Sequence, residues 1–312
     1  MVACGGCGAK NFIASDLPPF QTTPCNKCGH PVMITVRLRQ FELRGVIASG
    51  GMGTVFRSWD TMLHREVAVK LMKPDLATDP QQVEQFAREA RACAGLNHTN
   101  IIHIYTFDSH GAYKYLVMEL ADCGTLDGRI EKDGRVEELY VLDVGIKIAY
   151  ALDSALKHNL LHLDIKPGNI LFNAEGEPKL VDFGLAQAAE AERKPDDGIF
   201  GTPYYIAPER IRDQREDFRS DMYSLAGTLY HALTGRVPFE APSINEVAMA
   251  HVTQPLVPPN ELLEEVTDNT NDAIVCAMAK NPDERFCDYG EFIMHLEKAR
   301  SYLLVQRYRP GQ

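Results

Sequence analysis

The chain has 312 residues, a net charge of -11 and eight cysteines. Its length is enough for one large domain with a buried core and a small module beside it. The acidic balance argues against non-specific binding to nucleic acid or to an anionic membrane surface.

No segment of the sequence predicts secretion or membrane insertion. Cysteine and glycine occupy residues 4–8, where the apolar part of a signal peptide would lie. No apolar run approaches the roughly 20 residues that span a bilayer. We therefore expect a cytoplasmic protein, unless the chain is a fragment and an anchor follows Gln312.

Four cysteines form two closely spaced pairs near the N-terminus. Cys4 and Cys7 lie in CGGCG, and Cys25 and Cys28 lie in CNKCGH. Each C-x-x-C turn can direct two thiolates toward one tetrahedral Zn²⁺ ion, and the glycine after each pair lets the backbone curl. The pattern resembles zinc ribbons, and residues 1–36 are predicted to be a ribbon that Zn²⁺ holds folded.

A redox dithiol and chance pairing are the alternatives for these cysteines. Docking of a protein partner at the ribbon is an additional hypothesis. The remaining cysteines lie in apolar or helical surroundings and are interpreted as small, buried hydrophobic residues: Cys93, Cys123, Cys276 and Cys287.

Alternating apolar and polar residues predict a strand over 31–40, which closes the ribbon and leads into the next domain. Three more strands are predicted at 41–47, 54–59 and 66–71. The turn SGGMG at 49–53 joins the first two of these. A hairpin tip with few side chains lets backbone N–H groups approach phosphate.

A helix is predicted from Pro80 to Leu96, with Asp79 as its N-cap and apolar residues at helical spacing. Strands are predicted at 101–107 and 113–119. A long helix with one apolar face is predicted over 137–159.

The stretch HLDIKPGNILFNAEGEPKLVDFG, at 162–184, carries the chemistry of the chain. Apolar residues on both sides of a polar turn predict a β-hairpin that brings Asp164 and Asp182 together. Lys166 and Asn169 complete a set of two carboxylates, an amide and an ammonium group. This set suits Mg²⁺ bound to phosphate.

H-x-D-x-K-x-x-N followed by D-F-G resembles the catalytic core of protein kinases. The resemblance covers about residues 40–298 and implies an α+β fold with two lobes, preceded by the zinc ribbon. The kinase domain is expected over 40–300, with a β-rich N-lobe at 40–120 and a helical C-lobe at 121–300. A frayed C-terminal tail is expected at 301–312.

The resemblance implies an ATP- and Mg²⁺-dependent phosphotransferase. Asp164 would accept or orient the substrate hydroxyl, and Lys166 would neutralise charge on the γ-phosphate. Asn169 and Asp182 would hold Mg²⁺. A lone carboxylate or lysine is more often a surface charge, but these residues occur in family order at family spacing.

VAVK after the glycine turn resembles the nucleotide loop of the family and its lysine, here Lys70. The family's first loop glycine is replaced by Ala48, a mild change that does not exclude ATP. The remaining glycines of the turn are expected to face phosphate: Gly50, Gly51 and Gly53. Glu89, in FAREARA, would pair with Lys70; the alternative is a solvated helix charge.

YLVMEL at 115–120 resembles the segment that leads into the hinge between the lobes. By that match Met118 borders the adenine pocket, and backbone groups of Glu119 and Ala121 bond the base. The resemblance assigns these further residues to the nucleotide site: Ile47, Val55, Ala68 and Leu171.

Two features resemble Ser/Thr kinases rather than Tyr kinases, especially bacterial Ser/Thr kinases of the eukaryotic-like type. Lys166 lies two residues after Asp164, and GTPYYIAPE occupies 201–209. Thr202 would bridge Asp164 and Lys166, and the substrates would be proteins.

Family members switched on by phosphorylation of the activation loop carry arginine immediately before the catalytic aspartate. This chain has Leu163, which cannot pair with phosphate, and is therefore of the non-RD type. Residues 183–201 contain no Ser, Thr or Tyr. We expect a kinase that loop phosphorylation does not switch on.

The resemblance also assigns structural roles to residues that take no part in the reaction. Asp221 matches the buried aspartate that anchors the catalytic loop, and Arg285 matches the arginine that pairs with Glu209.

Two alternatives from other classes stay open. One is a nucleotide-binding scaffold without useful turnover. The other is a nucleic-acid-binding ribbon with a kinase attached, although Lys10 and Lys27 are the only lysine or arginine residues among residues 1–30.

Overall fold

The computed structural model describes residues 1–4, 6–13, 19–183, 187–188 and 203–308, except for the side chains of Glu89, Ala92, Gln187 and Ala188. The chain divides into two compact units. The first unit is Met1–Ala94 with Ile102–Asp122, and the second is Gly95–Ile101 with Cys123–Gln312. No helix within these described ranges combines the length and apolar character needed to cross a membrane.

The first unit contains ten strands and one α-helix among its described residues. The strands are β1 Val2–Ala3, β2 Lys10–Asn11, β3 Thr23–Pro24, β4 Pro31–Val32, β5 Val36–Leu38, β6 Phe41–Ser49, β7 Gly53–Asp60, β8 Arg65–Met72, β9 Ile104–His110 and β10 Tyr113–Met118; the helix is α1 Pro80–Ala94.

The N-terminal segment consists of two small hairpins, β1–β2 and β3–β4. Each hairpin adjoins one C-x-x-C turn, closed by a hydrogen bond from Gly8 N to Cys4 O or from Gly29 N to Cys25 O, both 2.9 Å. Gly8 and Gly29 have φ values of 69° and 74°, which glycine adopts without strain. The two hairpins agree with the arrangement expected from the two cysteine pairs, and the zinc ribbon itself stays a prediction.

A six-stranded antiparallel sheet in the order β5-β6-β7-β8-β10-β9 forms the rest of the first unit with α1. The single strand predicted over 31–40 is wrong, because this run supplies β4 to the ribbon and β5 to the large sheet. Met33 lies between them and is buried at 1% exposure in the core of the large sheet. Burial of this side chain takes the backbone out of the ribbon hairpin.

One face of the large sheet is a closed apolar core. Its strand residues are at most 6% exposed: Leu38, Phe41, Leu43, Phe56, Val67, Val69, Leu71, Tyr115 and Val117. Met33 and Phe20, from the segment before the sheet, pack on this face. The Phe20 ring lies 5.0 Å from the Tyr113 ring and 6.0 Å from the Phe56 ring, in edge-to-face geometry. Met33 and Phe20 therefore belong to the core of the large sheet, whereas Cys4, Cys25 and Val32 form a separate small core between the hairpins.

The second unit is mainly helical. Its α-helices are α2 Leu126–Asp133, α3 Glu138–Lys157, α4 Pro208–Ile211, α5 Phe218–Thr234, α6 Ile244–Thr253, α7 Pro259–Leu262, α8 Asp268–Ala277 and α9 Tyr289–Arg307; its short strands are β11 Leu160–Leu161, β12 Ile170–Phe172, β13 Pro178–Leu180 and β14 Gln187–Ala188.

Helices α3 and α8 each pack against both α5 and α9, and most residues of α5 are buried. The predicted long helix corresponds to α3, and β12 pairs with β13 in the predicted hairpin. The expected frayed tail is wrong in its first part, because α9 continues to Arg307. There the guanidinium pairs with Glu137 at 2.6 Å.

A buried ion pair joins α4 to the segment before α9. Arg285 Nη2 lies 2.8 Å from Glu209 Oε2, and the two side chains are 0% and 3% exposed. Burial opposes ionisation of Glu209, but the hydrogen bonds and charge of Arg285 lower the pKa of its carboxyl below the usual value. The pairing predicted from the sequence is confirmed.

Replacement of Arg285 by methionine should lower the free energy of unfolding by about 3–5 kcal/mol, because Glu209 would be left buried without its partner. Urea denaturation measures this change. Arg91→Met is the matched control, since Arg91 and Glu84 form a pair with side chains 64% and 53% exposed. An exposed pair contributes about 1 kcal/mol or less. Equal effects of the two substitutions would contradict the prediction.

Candidate active site

Two of the predicted catalytic residues surround the carboxylate of the third in the loop between β11 and β12. Lys166 Nζ donates to Asp164 Oδ2 at 2.8 Å. Asn169 Nδ2 donates to the same oxygen at 3.0 Å and to the Asp164 carbonyl oxygen at 2.8 Å. Two donors therefore fix the orientation of the Asp164 side chain, while the amide oxygen of Asn169 can serve as a ligand for a cation.

The hairpin β12–β13 returns the chain to this loop. Val181 N donates to Asn169 O at 3.0 Å, and Asp182 follows directly. Asp182 is exposed and has a φ of 69°. The hairpin thus brings the backbone of Asp182 next to that of Asn169, and the predicted meeting of the Asp182 carboxylate with that of Asp164 stays a prediction. Gly184, the last residue of the D-F-G motif, lies outside the described residues.

His162 joins the two parts of the site, a role that the sequence reasoning did not assign. Its Nε2 lies 3.0 Å from Val181 O, and its Nδ1 accepts from Asp164 N at 3.2 Å. These contacts require a neutral ring protonated at Nε2. Burial lowers the pKa of His162, which favours this neutral form. The ring also packs 4.4 Å from that of Phe183.

The carboxylate of Asp221, on α5, anchors the backbone of the loop that carries Asp164, as predicted. Its two carboxylate oxygens accept from His162 N and Leu163 N, both at 2.7 Å. Burial raises the pKa of Asp221 to about 7, although the two backbone N–H groups oppose the rise. Leu163 itself has a φ of 63°, in the left-handed region that non-glycine residues seldom occupy.

A cleft of about 430 Å³ opens beside the Asp164 carboxylate in the second unit. Asp164, Lys166, Tyr205, His231 and Arg210 are among the residues that line it. Tyr205 and His231 are joined by a hydrogen bond of 2.7 Å between the hydroxyl and Nδ1. His231 and Arg210 lie far from Asp164 in the sequence. Their positions in the cleft could therefore not be predicted from the motif around Asp164. Thr202 lies outside the described residues.

The predicted nucleotide-binding residues of the first unit share one face of the sheet. Val55 is paired with Lys70, and Ala68 is paired with Met118. Because side chains alternate between the faces of a strand, these four lie on the face opposite the apolar core. Lys70 Nζ lies 5.8 Å from the centre of the Phe86 ring.

The glycine turn has one position that only glycine can occupy. A Cβ atom on Gly53 would lie 2.4 Å from the Leu71 carbonyl oxygen, so this glycine serves strand packing. Gly50 N donates to Gly53 O at 2.9 Å and closes the turn. The side chain of Glu89 lies outside the described residues, and its pairing with Lys70 stays a prediction.

The other predicted nucleotide contacts lie on strands or just after them. Ile47 and Ala48 are on β6, and Leu171 is on β12 in the second unit. The backbone N–H of Glu119 donates to His103 O at 2.8 Å. A base at this position would therefore use the Glu119 carbonyl group, and Ala121 follows two residues later.

The four paired cysteines form one cluster. Their sulfur atoms all lie within 4.8 Å of one another. The Cys4–Cys28 and Cys7–Cys25 sulfur distances are 3.6 and 3.7 Å. Zn–S bonds of about 2.3 Å in a tetrahedron place the sulfurs about 3.8 Å apart, so the cluster has the dimensions of a zinc site. A disulfide would need a separation of about 2.05 Å.

Backbone and side-chain N–H groups support this interpretation. Gly6 N donates to Cys4 Sγ at 3.3 Å, and Lys27 N donates to Cys25 Sγ at 3.4 Å. Asn11 Nδ2 also donates to Cys25 Sγ at 3.3 Å. Such donors stabilise thiolates, the form that binds metal.

The sequence is similar to a known family and to characterised relatives. A family model described as a protein kinase domain matches residues 41–296. A probable serine/threonine-protein kinase of Clostridium acetobutylicum is 33% identical over 268 residues, which are 86% of this chain and 41% of that protein.

Two mycobacterial proteins are similar to the same degree. The serine/threonine-protein kinase PknB of Mycobacterium leprae is 34% identical over 268 residues, 84% of this chain and 43% of that protein. PknA of Mycobacterium tuberculosis is 36% identical over 259 residues, 81% of this chain and 59% of that protein. The chain thus spans less than two thirds of the length of these relatives.

Asp221→Asn should loosen the catalytic loop, because an amide can accept only one of the two backbone N–H groups and turns its own N–H₂ group toward the other. A buried donor left unsatisfied costs about 1–3 kcal/mol in unfolding free energy. Urea denaturation measures this loss. Asp217→Asn is the control, since asparagine also caps helix α5 at that position. A loss no larger than that of the control would contradict the anchoring role.

Proposed function

The chain belongs to the protein kinase family, and from that premise we propose that it transfers the γ-phosphate of ATP to serine or threonine hydroxyls of proteins. The observation that carries this proposal is the grouping of Lys166 and Asn169 around the Asp164 carboxylate. The group has the composition needed to orient a hydroxyl and to balance the charge of a phosphate.

In the proposed reaction, Asp164 is held through Oδ2 by its two neighbours. Its other carboxylate oxygen is left to accept the proton of the attacking hydroxyl. Lys166 lies beside this carboxylate and balances negative charge on the transferred phosphate. Asn169 and Asp182 are the oxygen ligands for Mg²⁺, which neutralises phosphate charge when bound.

We assign ATP binding to the first unit by the resemblance to the family. Support comes from the common face shared by Val55, Ala68, Lys70 and Met118. The turn at 49–53 offers backbone N–H groups for the phosphates. Selection of serine or threonine rests on the position of Lys166, two residues after the catalytic aspartate.

The kinase is further proposed to be of the non-RD type, independent of phosphorylation in its activation loop. Leu163 cannot bind a phosphate group. The chain from 183 to 201 offers no hydroxyl to modify. Docking of a protein partner at the ribbon and a cytoplasmic location remain predictions.

Transfer of radiolabelled phosphate from ATP·Mg²⁺ to a generic basic protein tests the function. Asp164→Asn should lower the rate by at least about a hundredfold, because the variant cannot accept the proton. Asp153→Asn, which alters only the exposed pair with Lys157, should keep the wild-type rate. ATP binding without transfer by the wild type would favour the alternative, a nucleotide-binding scaffold.

The four-cysteine cluster is proposed to bind one structural Zn²⁺ ion through Cys4, Cys7, Cys25 and Cys28. Its dimensions and N–H···S hydrogen bonds support this assignment. The ion would hold the two hairpins together, since so small a segment has little core of its own. In the first unit it would also keep Phe20 and Met33 over the apolar face of the sheet.

Zinc removal should therefore destabilise the whole first unit. Uncovering two large apolar side chains costs about 3 kcal/mol or more, which lowers the unfolding midpoint by roughly 6–12 °C. Cys4→Ser should abolish binding of one Zn²⁺ per chain and lower the midpoint, as measured by metal analysis and calorimetry. Cys287→Ser is the control, at a cysteine outside the cluster that is exposed, so the burial predicted for it from the sequence is wrong, as it is for Cys123. A metal-free wild type of unchanged stability would exclude the zinc site.

A further inference from the structure

Leu163, the residue before the proposed catalytic aspartate, is held at both its backbone polar groups. Its N–H donates to Asp221 Oδ1 at 2.7 Å. Its carbonyl oxygen accepts from Arg210 Nη1 at 2.9 Å. This carbonyl belongs to the peptide group that enters Asp164, so Arg210 acts directly on the backbone that carries the carboxylate.

The conformation of Leu163 needs such support. A φ of 63° brings the Cβ atom of a non-glycine residue close to its own carbonyl oxygen and costs about 1–2 kcal/mol. Residues in such conformations persist only where their surroundings fix them. Asp221 fixes one side of Leu163, and Arg210 fixes the other.

Arg210 is itself fixed by burial and charge. Its side chain is 10% exposed and lies 3.6 Å from Oε1 of Glu216, whose side chain is 8% exposed. It follows Glu209, which Arg285 and Ser220 hold through buried hydrogen bonds of 2.8 and 2.6 Å. The guanidinium therefore meets the catalytic loop from a rigid position.

We infer that Arg210 is a positioning residue for the catalytic loop. In the family, an arginine before the catalytic aspartate meets a phosphate of the activation loop. In this chain Leu163 takes the place of that arginine. The positive charge beside the loop is instead the guanidinium of Arg210, and its partner is the carboxylate of Glu216. The loop is then held by a built-in ion pair that needs no modification. This inference rests on the proposed role of Asp164.

The inference is tested with Arg210→Met, Arg210→Lys and the control Arg212→Met. Arg212 lies two residues further on, is exposed, and bonds only the Val252 carbonyl oxygen at 3.4 Å in the described structure. Two readouts are needed: steady-state phosphotransfer and hydrogen exchange of the peptide that covers 160–168. The thermal unfolding midpoint of each variant verifies that it is folded.

Arg210→Met should lower kcat by about tenfold to a hundredfold and leave KM for ATP within about twofold, because a small displacement of Asp164 affects the reaction step. Arg210→Lys should recover part of kcat, since one ammonium group can still donate to the carbonyl. Exchange at 160–168 should become faster in Arg210→Met only. The control should match the wild type in every readout.

Two results would overturn the inference. One is a kcat and a loop exchange rate in Arg210→Met that equal those of the control. The other is a lower unfolding midpoint with unchanged kcat, which would give Arg210 a purely structural role. If the wild type transfers no phosphate, the proposed function fails, and the exchange data still decide whether Arg210 holds the loop.

Discussion

The buried carboxylate of Asp221 is the constraint on which the proposed catalytic centre depends. Within the described residues, no strand pairs with the first residues of the loop after β11, and their buried N–H groups must be bonded. Asp221 accepts two of them at 2.7 Å each. With the backbone fixed there, His162 can bridge to Val181 and Asp164 can meet Lys166 and Asn169.

Several contacts of this centre come from side chains far along the chain. Arg210 reaches the Leu163 carbonyl from α4, and α4 is in turn held by the buried pair of Glu209 with Arg285. Breaking such a pair leaves an uncompensated buried charge. Scaffold and chemistry are therefore linked: the residues that stabilise the helical unit also define the position of its catalytic loop.

A different principle organises the first unit. Its large sheet has an apolar face that needs a cover, and Phe20 and Met33 of the preceding segment provide part of it. The opposite face carries the residues assigned to the nucleotide. The covering residues and the residues assigned to the nucleotide therefore lie on opposite faces of the same sheet.

Local pattern was sufficient to predict much of this architecture. The spacing of HLDIKPGN and DFG, the hairpin between them and the long helix α3 all depend on residues near one another in sequence. The structure brings Asp164, Lys166 and Asn169 together as the motif suggests, and the cysteine cluster agrees with its two C-x-x-C turns.

Contacts between distant residues that no motif marks were not predictable in the same way. The alternation of apolar and polar residues over 31–40 suggested one strand. A local pattern of this kind cannot reveal that Met33 is buried in the core of the large sheet. Arg210 carries no motif; its importance comes from a bond to a carbonyl 47 residues earlier. The tautomer of His162 likewise depends on Val181 O, which only the folded chain places beside the ring.

In the proposed kinase, the chain's own buried side chains hold the catalytic loop ready for reaction, without a phosphate. The most direct test is the progress curve of phosphate-free protein, treated with phosphatase and verified by intact mass, after addition of ATP·Mg²⁺ and a protein substrate. We predict a linear curve from the first turnover at the full rate. A lag that ends as a phosphate accumulates on Thr202 would contradict the account.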